Sequence, residues 1–311
     1  VMQIRPLTEA LAEVARVELN EDPKQIEECL RSLKDWIRKQ PHLKARTDNQ
    51  WLIAFLRGCK WSLERTKEKL DIYYSLRSCA PDLFCLKHTD PKVMDILDKG
   101  IGLVLPKAAS PTAPRVVLVR PGRYDPDQYS IMEIMAVTAI QQQISYMEDD
   151  NLMVSGSVNV VDLQGIKLNH FISMTPLQMK KIVTLNQEAA PTRMKGIHLL
   201  NMPPFFETFF NMAKSFLNEK NRQRLHVHSK NYTDLFKHIP KDILPIEYGG
   251  NDCTVQEIID YWKMKYQQYY EWLEEDLQYG TVESKRLADS QAGSINTTFG
   301  IQGSFKQLDF D

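Results

Sequence analysis

The sequence predicts an α/β protein that begins with a bundle of helices and continues into a domain with a mixed, largely parallel sheet. Residues 8–84 show helical periodicity, and from about residue 86 short β-rich runs alternate with helices. Such alternation is typical of a parallel sheet covered by helices. The chain has 311 residues, 43% of them hydrophobic, which is enough for a substantial core. No apolar run approaches the roughly 18–20 residues that cross a membrane.

Capping residues mark the amino-terminal helices. In DPKQIEECLRSLKDWIRKQ, we expect Asp22 to be the N-cap and Pro23 to lie in the first turn, with an apolar face following. Ser62 is the predicted N-cap of SLERTKEKLDIYYSLRSCAPDLF. These patterns predict a helical module over residues 8–85.

The predicted strands are GIGLVLPKA, PRVVLVRPG, GSVNVVDLQG, KGIHLLNMP and RLHVHS. Between them lie a helix in DQYSIMEIMAVTAIQQQISYMEDD, a helix from Thr175 and a third, aromatic helix. We therefore expect the α/β domain over residues 86–254 and one helix over residues 255–279. Residues 280–311 have few apolar anchors and are expected to form an irregular, loosely packed tail.

The segment NMPPFFETFFNMAKSFL, residues 201–217, predicts an amphipathic helix with an unusually wide aromatic face. Pro203 and Pro204 suit a first helical turn, because the N–H groups they lack have no helical partner there. The two adjacent apolar stripes contain Phe205, Phe206, Phe209, Phe210, Met212 and Phe216. Burying four phenylalanine rings is worth about 20 kcal/mol at most. This face must therefore cover a fixed core, a removable apolar ligand or a membrane.

No catalytic or metal-binding pattern is evident in the sequence. There is no GxSxG elbow, and KGIGLVLPK lacks the third glycine and the following helix of a phosphate-binding loop. His226 and His228 point the same way on a predicted strand, but no cysteine, aspartate or third histidine is suitably near. A solvated or edge-strand pair is therefore favoured over a metal site. We expect no enzymatic activity, no metal and no cofactor.

Cysteine usage and charge indicate the compartment and the partners. The five cysteines include no CxxC pair, which indicates buried thiols in a reducing cytosol. The net charge of −1 gives no reason to expect nucleic-acid binding. Residues 193–230, however, carry seven lysines and arginines against two glutamates. This concentration is either a solvated basic rim or, beside the aromatic helix, a surface for an anionic membrane; the juxtaposition favours the membrane surface.

Several motifs, in the right order, resemble those of the CRAL-TRIO family. They are AFLRGCKWSLERTKEKLDIYY, VVDLQG, TPLQMKKI, RMKGIHLLNMPPFFETFF, FLNEKNRQRLHVH and DILPIEYGG. The resemblance covers roughly residues 20–275 and is to the branch that contains alpha-tocopherol transfer protein and cellular retinaldehyde-binding protein. It implies a helical bundle packed on an α/β domain whose sheet floors a cavity for one hydrophobic molecule. A mobile lid helix, here residues 203–217, is implied to gate that cavity.

The resemblance also implies which residues meet the ligand. The implied cavity is lined by Ile134, Val137, Thr138, Gln141, Ile182, Leu185, Asn186, Ala190 and Ile197, together with Phe205, Phe209 and Phe210. The four positions from Ile134 to Gln141 fit one helix face, which equally describes an ordinary core. Val137 and Gln141 stand where the tocopherol protein has small hydroxyl residues, so tocopherol is not assigned. Retinoid, carotenoid, sterol-like and other prenyl lipids stay open.

Tocopherol-binding relatives bind phosphoinositide head groups through a basic cleft. The matching positions here are Arg57, Lys60, Arg193, Lys195, Lys220, Arg222 and Arg224. Arginine offers two parallel donors to a phosphate and lysine a point charge, so these side chains suit the ligand. One position departs from the family: after FLR the relatives usually carry a second basic residue, where this chain has Cys59. Lys60 is the candidate to replace that charge.

The sequence thus predicts a monomeric, cytoplasmic carrier of one small hydrophobic ligand that associates transiently with membranes. We expect release at phosphoinositide-containing membranes, through an equilibrium between a closed and an open lid. The alternative is a protein-interaction module that does not transfer lipid, because a wide apolar helix face also suits helix-in-groove recognition.

Overall fold

The computed structural model describes residues 4–215, 219–228 and 232–287 of the chain. The amino-terminal part consists of α1 (Glu9–Leu19), α2 (Ile26–Lys39), a two-residue strand β1 (Leu43–Lys44), α3 (Asn49–Gly58) and α4 (Leu63–Cys79). These helices pack around fully buried side chains such as Trp51, Phe55 and Tyr74. The predicted helical module is therefore present, interrupted by one short strand.

Of the two N-caps predicted for this module, one is confirmed and the other is wrong. Ser62 caps α4 as predicted, because its Oγ accepts from the Arg65 N–H at 3.4 Å. The prediction of Asp22 as the cap of α2 is wrong. Asp22 and Pro23 form a separate turn, in which the Gln25 N–H donates to the Asp22 carbonyl at 2.9 Å, and the helix begins only at Ile26.

The second part of the chain alternates helices and strands. Its elements, in chain order, are α5 (Pro91–Asp98), β2 (Gly102–Val104), β3 (Arg115–Val119), α6 (Ile131–Glu148), α7 (Asp150–Ser155), β4 (Ser157–Asp162), α8 (Asn169–Ile172), α9 (Pro176–Val183), β5 (Met194–Leu200), α10 (Pro204–Ser215), α11 (Glu219–Gln223) and β6 (Leu225–Val227). Ser130 and Thr175 begin α6 and α9 with capping boxes.

The strands form one five-stranded sheet in the order β2-β3-β4-β5-β6. β2 runs antiparallel to β3, and every other neighbouring pair is parallel. The predicted fold class, a helical region joined to a mixed and largely parallel sheet, is confirmed.

The two faces of this sheet differ in burial. Leu118, Val160 and His198 are partners across β3, β4 and β5, point to one face and are almost fully buried. One residue earlier in each strand, Val117, Asn159 and Ile197 point to the opposite face and are only half-buried. We call this second side the half-buried face; Val119 and Val161 also belong to it.

The predicted carboxyl-terminal helix is two helices, α12 (Val255–Gln268) and α13 (Tyr270–Asp276), broken at Tyr269. α12 packs on the sheet domain, where Trp262 Nε1 donates to the Val104 carbonyl at 2.9 Å. α13 packs on the helical module, where the Trp272 ring lies 5.6 Å from that of Trp51. The pair therefore ties the two parts together. Within the described residues, no helix has the length and apolarity to cross a membrane.

Residues 280–287, the beginning of the predicted irregular tail, are ordered against the helical module. Strand β7 (Gly280–Thr281) pairs antiparallel with β1. Arg286 donates to Asp71 Oδ2 at 2.7 Å and to Ser75 Oγ at 2.6 Å. This anchor is ionic, so the pattern of apolar residues in the sequence does not indicate it. The rest of the predicted tail, residues 288–311, lies outside the described residues.

Candidate functional site

Three motifs of the sequence meet at one carboxylate where α10 begins. Asp162, at the carboxyl end of β4, accepts from Tyr248 Oη at 2.6 Å, from Asn201 Nδ2 at 2.8 Å and from the Gln164 N–H at 3.0 Å. Asn201 has a φ of 53°, a left-handed conformation that asparagine tolerates. Asp162 therefore fixes the turn that leads from β5 into α10. The sequence motifs do not by themselves reveal this contact.

The predicted lid helix, α10, starts as the two prolines predict. It begins at Pro204, and the Phe206 N–H donates to the Pro203 carbonyl at 3.0 Å. The ring of Phe206 lies 5.3 Å from that of Phe171, which belongs to α8, and 6.4 Å from that of Phe210. α8 and α10 are therefore in contact. Phe216 and the side chains of Phe209 and Met212 lie outside the described part of the chain.

Four exposed apolar side chains lie on α8 or just before it, at the start of α9 and on α10. Ile172 is 71% exposed, Leu168 60%, Leu177 46% and Phe205 45%. We call these four residues the apolar rim. Clusters of exposed apolar side chains are typical of surfaces that meet a protein partner or a membrane. The exposure of Phe205 shows that the described residues do not fully cover the aromatic face of α10.

Three of the four predicted pocket residues of α6 belong to the protein core. Ile134, Val137 and Gln141 are buried, and with Thr138 they border a void of about 10 Å³ between α5, α6 and α12. Tyr266 of α12 closes this side by donating its hydroxyl to the Val137 carbonyl at 2.8 Å. About 10–15 Å³ holds a single water, so the void is far too small for a lipid.

A neighbouring stripe of α6 is half-buried instead. It consists of Met135, Thr138 and Gln142, at helical spacing. A Cβ added to Gly102 would lie 3.7 Å from Thr138 Oγ1, and Gly102 is the sheet partner of Val119, so Thr138 lies over the half-buried face. Of the four predicted positions of α6, Thr138 belongs to this half-buried stripe, and the other three are buried in the core.

The predicted pocket residues after α9 also divide into two groups. Asn186, Ile182 and Ile197 are half-buried, and Asn186 Oδ1 accepts from Gln142 Nε2 of α6 at 3.2 Å. Leu185 and Ala190, each 2% exposed, pack in the core of the helical module. Asn186 lies in a π-helical turn, Thr184–Ala189, that continues α9; such turns are frequent at functional sites.

Lys69 of α4 holds the end of this π-helical turn. Its ammonium donates to the carbonyls of Gln187 at 3.3 Å, Glu188 at 3.0 Å and Ala190 at 3.1 Å. Burial lowers the pKa of Lys69. The helical module therefore fixes the last turn of the segment that carries Asn186, and the sequence pattern contains no signal for this link.

A second cavity, of about 420 Å³, lies between α4, α6 and α13. Arg77, Gln143 and Asp276 are among its lining residues, and Arg77 and Asp276 form an ion pair at 2.6 Å. None of the predicted pocket residues borders this cavity.

Three predicted head-group ligands form a basic cluster at the amino ends of β5 and β6: Arg193, Lys195 and Arg224. Arg224 Nη1 donates to the Met194 carbonyl at 3.1 Å, and Arg193 donates to the Val154 carbonyl. Burial, followed by the repulsion of Arg193, lowers the pKa of Lys195. Glu18 of α1 lies 3.5 Å from Lys195 Nζ. The arrangement concentrates positive charge at one edge of the sheet. Arg222 is exposed on α11, and the Lys220 side chain lies outside the described residues.

Arg57, a further predicted head-group ligand, is placed differently. Its side chain is 2% exposed, and its Nε and Nη2 donate to the two oxygens of Glu21 at 2.9 and 3.0 Å. The neighbouring Cys59 is also buried, and burial raises the pKa of its thiol. Lys60 is exposed, with a φ of 52°. This placement favours a structural role for Arg57 and leaves Lys60 as the accessible cation of the segment.

Replacing Arg57 with alanine is expected to lower the free energy of unfolding by about 3 kcal/mol, because Glu21 would stay buried without its arginine. Lys60→Ala, three residues along the chain, should change it by less than about 0.5 kcal/mol. Urea denaturation of both variants measures the difference. Equal stability of the two variants would show that Arg57 is not a structural residue.

The structure brings four histidines together on the almost fully buried face of the sheet. His198 of β5 is the register partner of His226 of β6, and His228 and His238 lie beside them. The expectation that no third histidine lies near His226 and His228 is wrong. His198 belongs to the neighbouring strand β5 and His238 follows His228 by ten residues; strand pairing and the fold of residues 232–239 bring them close.

Comparison with known proteins identifies relatives of this chain. The family model described as CRAL/TRIO domain matches residues 108–250, and the model described as Pinta-like, UBA domain matches residues 22–93. "Alpha-tocopherol transfer protein-like" of Homo sapiens is 33% identical over 247 residues, which are 78% of this chain and 71% of that protein. "Clavesin-2" of Rattus norvegicus is 27% identical over 240 residues, 76% of this chain and 73% of that protein. The structure titled "Crystal structure of Sfh5" aligns with a TM-score of 0.45 at 13% identity, over 80% of this chain and 90% of that chain.

Proposed function

Because the chain belongs to the CRAL/TRIO family, whose members bind and transfer small lipophilic ligands, we propose that it carries one small hydrophobic molecule between membranes. The proposed cargo is a prenyl-type lipid such as a tocopherol, retinoid or carotenoid. The observation that carries the proposal is the half-buried face of the sheet, which is mostly apolar and lies in the domain that the family model matches. The proposed activity is binding and transfer, without a chemical step.

The half-buried side chains suggest how such a ligand is held. Val117, Val119, Val161 and Ile197 offer an apolar floor, and Thr138, Gln142, Ile182 and Asn186 offer the walls. The floor contains one amide, Asn159, whose Nδ2 lies 3.3 Å from Met194 Sδ, a weak acceptor. Apolar sites with a few placed polar groups suit a ligand with a long apolar body and one polar end. The amides of Asn159 and Gln142 are the proposed partners of that polar end.

Release is proposed to occur at membranes that contain phosphoinositides. The apolar rim supplies side chains that can enter the interface, and the basic cluster supplies cations for the head group. α10 is the proposed lid, since Asp162 holds the turn that leads into it while Phe205 stays exposed. The protein is proposed to act in the cytosol as a monomer. Of the five cysteines, which the sequence suggests are buried, Cys29 and Cys59 are buried, Cys79 and Cys253 are half-buried and Cys85 is exposed.

Filling the proposed cavity should remove the ligand. Ile197→Trp places a large ring on the floor, and we expect it to lower the amount of bound lipid at least about tenfold relative to the unchanged protein. The measurement is organic extraction of the purified protein followed by mass spectrometry, with the unchanged protein expected to yield about one lipid per chain.

Val17→Trp is the matched control, because Val17 is 60% exposed on α1 and should accept a large ring without loss of lipid. Circular dichroism must show that both variants are folded. An unchanged protein that yields no lipid, or an Ile197→Trp variant that retains it, would contradict the carrier function. An empty protein would instead favour the interaction module as the function of this fold.

A further inference from the structure

The four histidines brought together by β5, β6 and the following turn have the composition of a transition-metal site. The ligand atoms of His198, His226 and His238 all lie within 4.8 Å of one another. Among the residues that the structure describes, no other set of three histidines, cysteines or carboxylates lies close enough together to hold a metal ion. Three imidazoles whose nitrogens lie close together commonly bind zinc and other first-row transition metals.

The backbone holds the three rings on fixed elements. His198 and His226 are register partners on adjacent parallel strands, so their side chains leave the same face side by side, and their rings stack at 4.8 Å. His238 follows a short 3-10 turn, Leu235–Lys237, and its N–H donates to the Leu235 carbonyl at 3.0 Å. Leu235, the first residue of this turn, and Ile239, the residue after His238, are buried. The site is therefore built from packed elements.

His228 supplies the outer contact that metal-binding histidines usually have. Its Nε2 lies 2.8 Å from His198 Nδ1, a hydrogen-bond distance. When His198 Nδ1 carries the proton and donates to His228, the other nitrogen of His198 has a lone pair for a metal. Contacts of this kind fix the tautomer and the orientation of a ligand ring.

We propose that His198, His226 and His238 bind one zinc-class divalent ion, with His228 as the positioning residue of His198. Metal–nitrogen bonds of about 2.0–2.1 Å in a tetrahedron place the nitrogens about 3.3 Å apart, so the rings must close by about 1 to 1.5 Å. His238 is exposed and His226 is half-buried, and rotation of these two side chains supplies this movement. A water completes the coordination. The ion joins β5, which precedes α10, to β6, which follows it.

The test is a zinc titration of the full chain without an affinity tag, after dialysis against a chelator. Competition with a chromophoric chelator should show one zinc ion per chain, and Co²⁺ should give the visible absorption bands of a four-coordinate site. We expect His226→Gln and His238→Gln each to weaken zinc binding at least about 100-fold, and His228→Gln by about 10- to 100-fold.

His88→Gln is the matched control, since His88 lies outside the cluster and contacts Glu274. It should bind zinc as the unchanged protein does. Thermal unfolding of the metal-free variants checks that each is folded, and exposed His238 is the safest substitution in this respect. The proposal is overturned if the unchanged chain binds no stoichiometric zinc, or if the His226→Gln, His238→Gln double variant binds it equally well.

Discussion

Neutralising Lys195 and Arg224 together, each to glutamine, is expected to weaken binding to phosphoinositide-containing vesicles by about 30-fold. Each basic side chain near an anionic membrane surface contributes about 1 kcal/mol, and about 1.4 kcal/mol corresponds to a tenfold change in affinity. Both residues lie at the amino ends of neighbouring strands, where Arg193 adds a third positive charge. Co-sedimentation with vesicles of defined composition, with and without a phosphoinositide, measures the effect.

The control for this pair is Lys39→Gln with Lys285→Gln, which makes the same change in net charge on exposed residues outside the cluster. We expect this control to bind vesicles as the unchanged protein does. The lipid extracted from the Lys195 and Arg224 variant in solution should also be unchanged, because these residues are not part of the proposed cavity. If the control pair loses as much vesicle binding, the effect is general electrostatic attraction and the cluster has no special role.

Replacing Asp162 with alanine is expected to lower the free energy of unfolding by about 4 to 5 kcal/mol. Its carboxylate is almost fully buried and accepts from Tyr248, Asn201 and the backbone of Gln164. Removing it leaves these donors without a partner, and each buried unpaired donor costs about 1–3 kcal/mol. Burial and the neighbouring Asp162 raise the pKa of Tyr248, so this hydroxyl stays protonated and remains a donor. Urea denaturation gives the free energies.

Smaller changes at the same point should give a graded series. Asp162→Asn keeps one accepting oxygen and should cost less than Asp162→Ala, and Tyr248→Phe, which removes a single donor, should cost about 1–2 kcal/mol. Asp260→Ala, on an exposed position of α12, should change stability by less than about 0.5 kcal/mol. If Asp162→Ala lowers the free energy of unfolding no more than Tyr248→Phe does, Asp162 does not stabilise the contact between the three segments.

Much of the fold could be predicted because its signals are local. Each predicted strand overlaps an observed one, the cap at Ser62 acts where the sequence places it, and α9 begins directly after Thr175, where the sequence places the start of a helix. Such features depend on a few consecutive residues and on the period of the apolar positions. The break at Tyr269 and the ionic anchor of Arg286 depend on contacts far along the chain, and the sequence alone could not show them.

The candidate site was less predictable, for a physical reason that α6 illustrates. Almost every side of α6 is covered, so its apolar residues do not distinguish a core face from a cavity face. Thr138 and the core residue Val137 are neighbours in the sequence, yet they differ in burial. Arg57 shows the same limit for charges, because its motif gives no sign that Glu21 neutralises it. Histidines from three separate segments meet only once the strands are paired.

The ordered segment after α13 has a consequence for how the protein is shortened or labelled. Arg286 contacts Asp71, and Asp71 Oδ1 in turn lies 3.0 Å from His42 Nε2. These contacts attach the segment after α13 to the amino-terminal helical module. A fragment truncated at residue 279 would lack Arg286, the partner of Asp71, and β7, the only described strand that pairs with β1. A reporter protein fused at residue 279 would disturb the same contacts, so a fusion partner should be placed after residue 287.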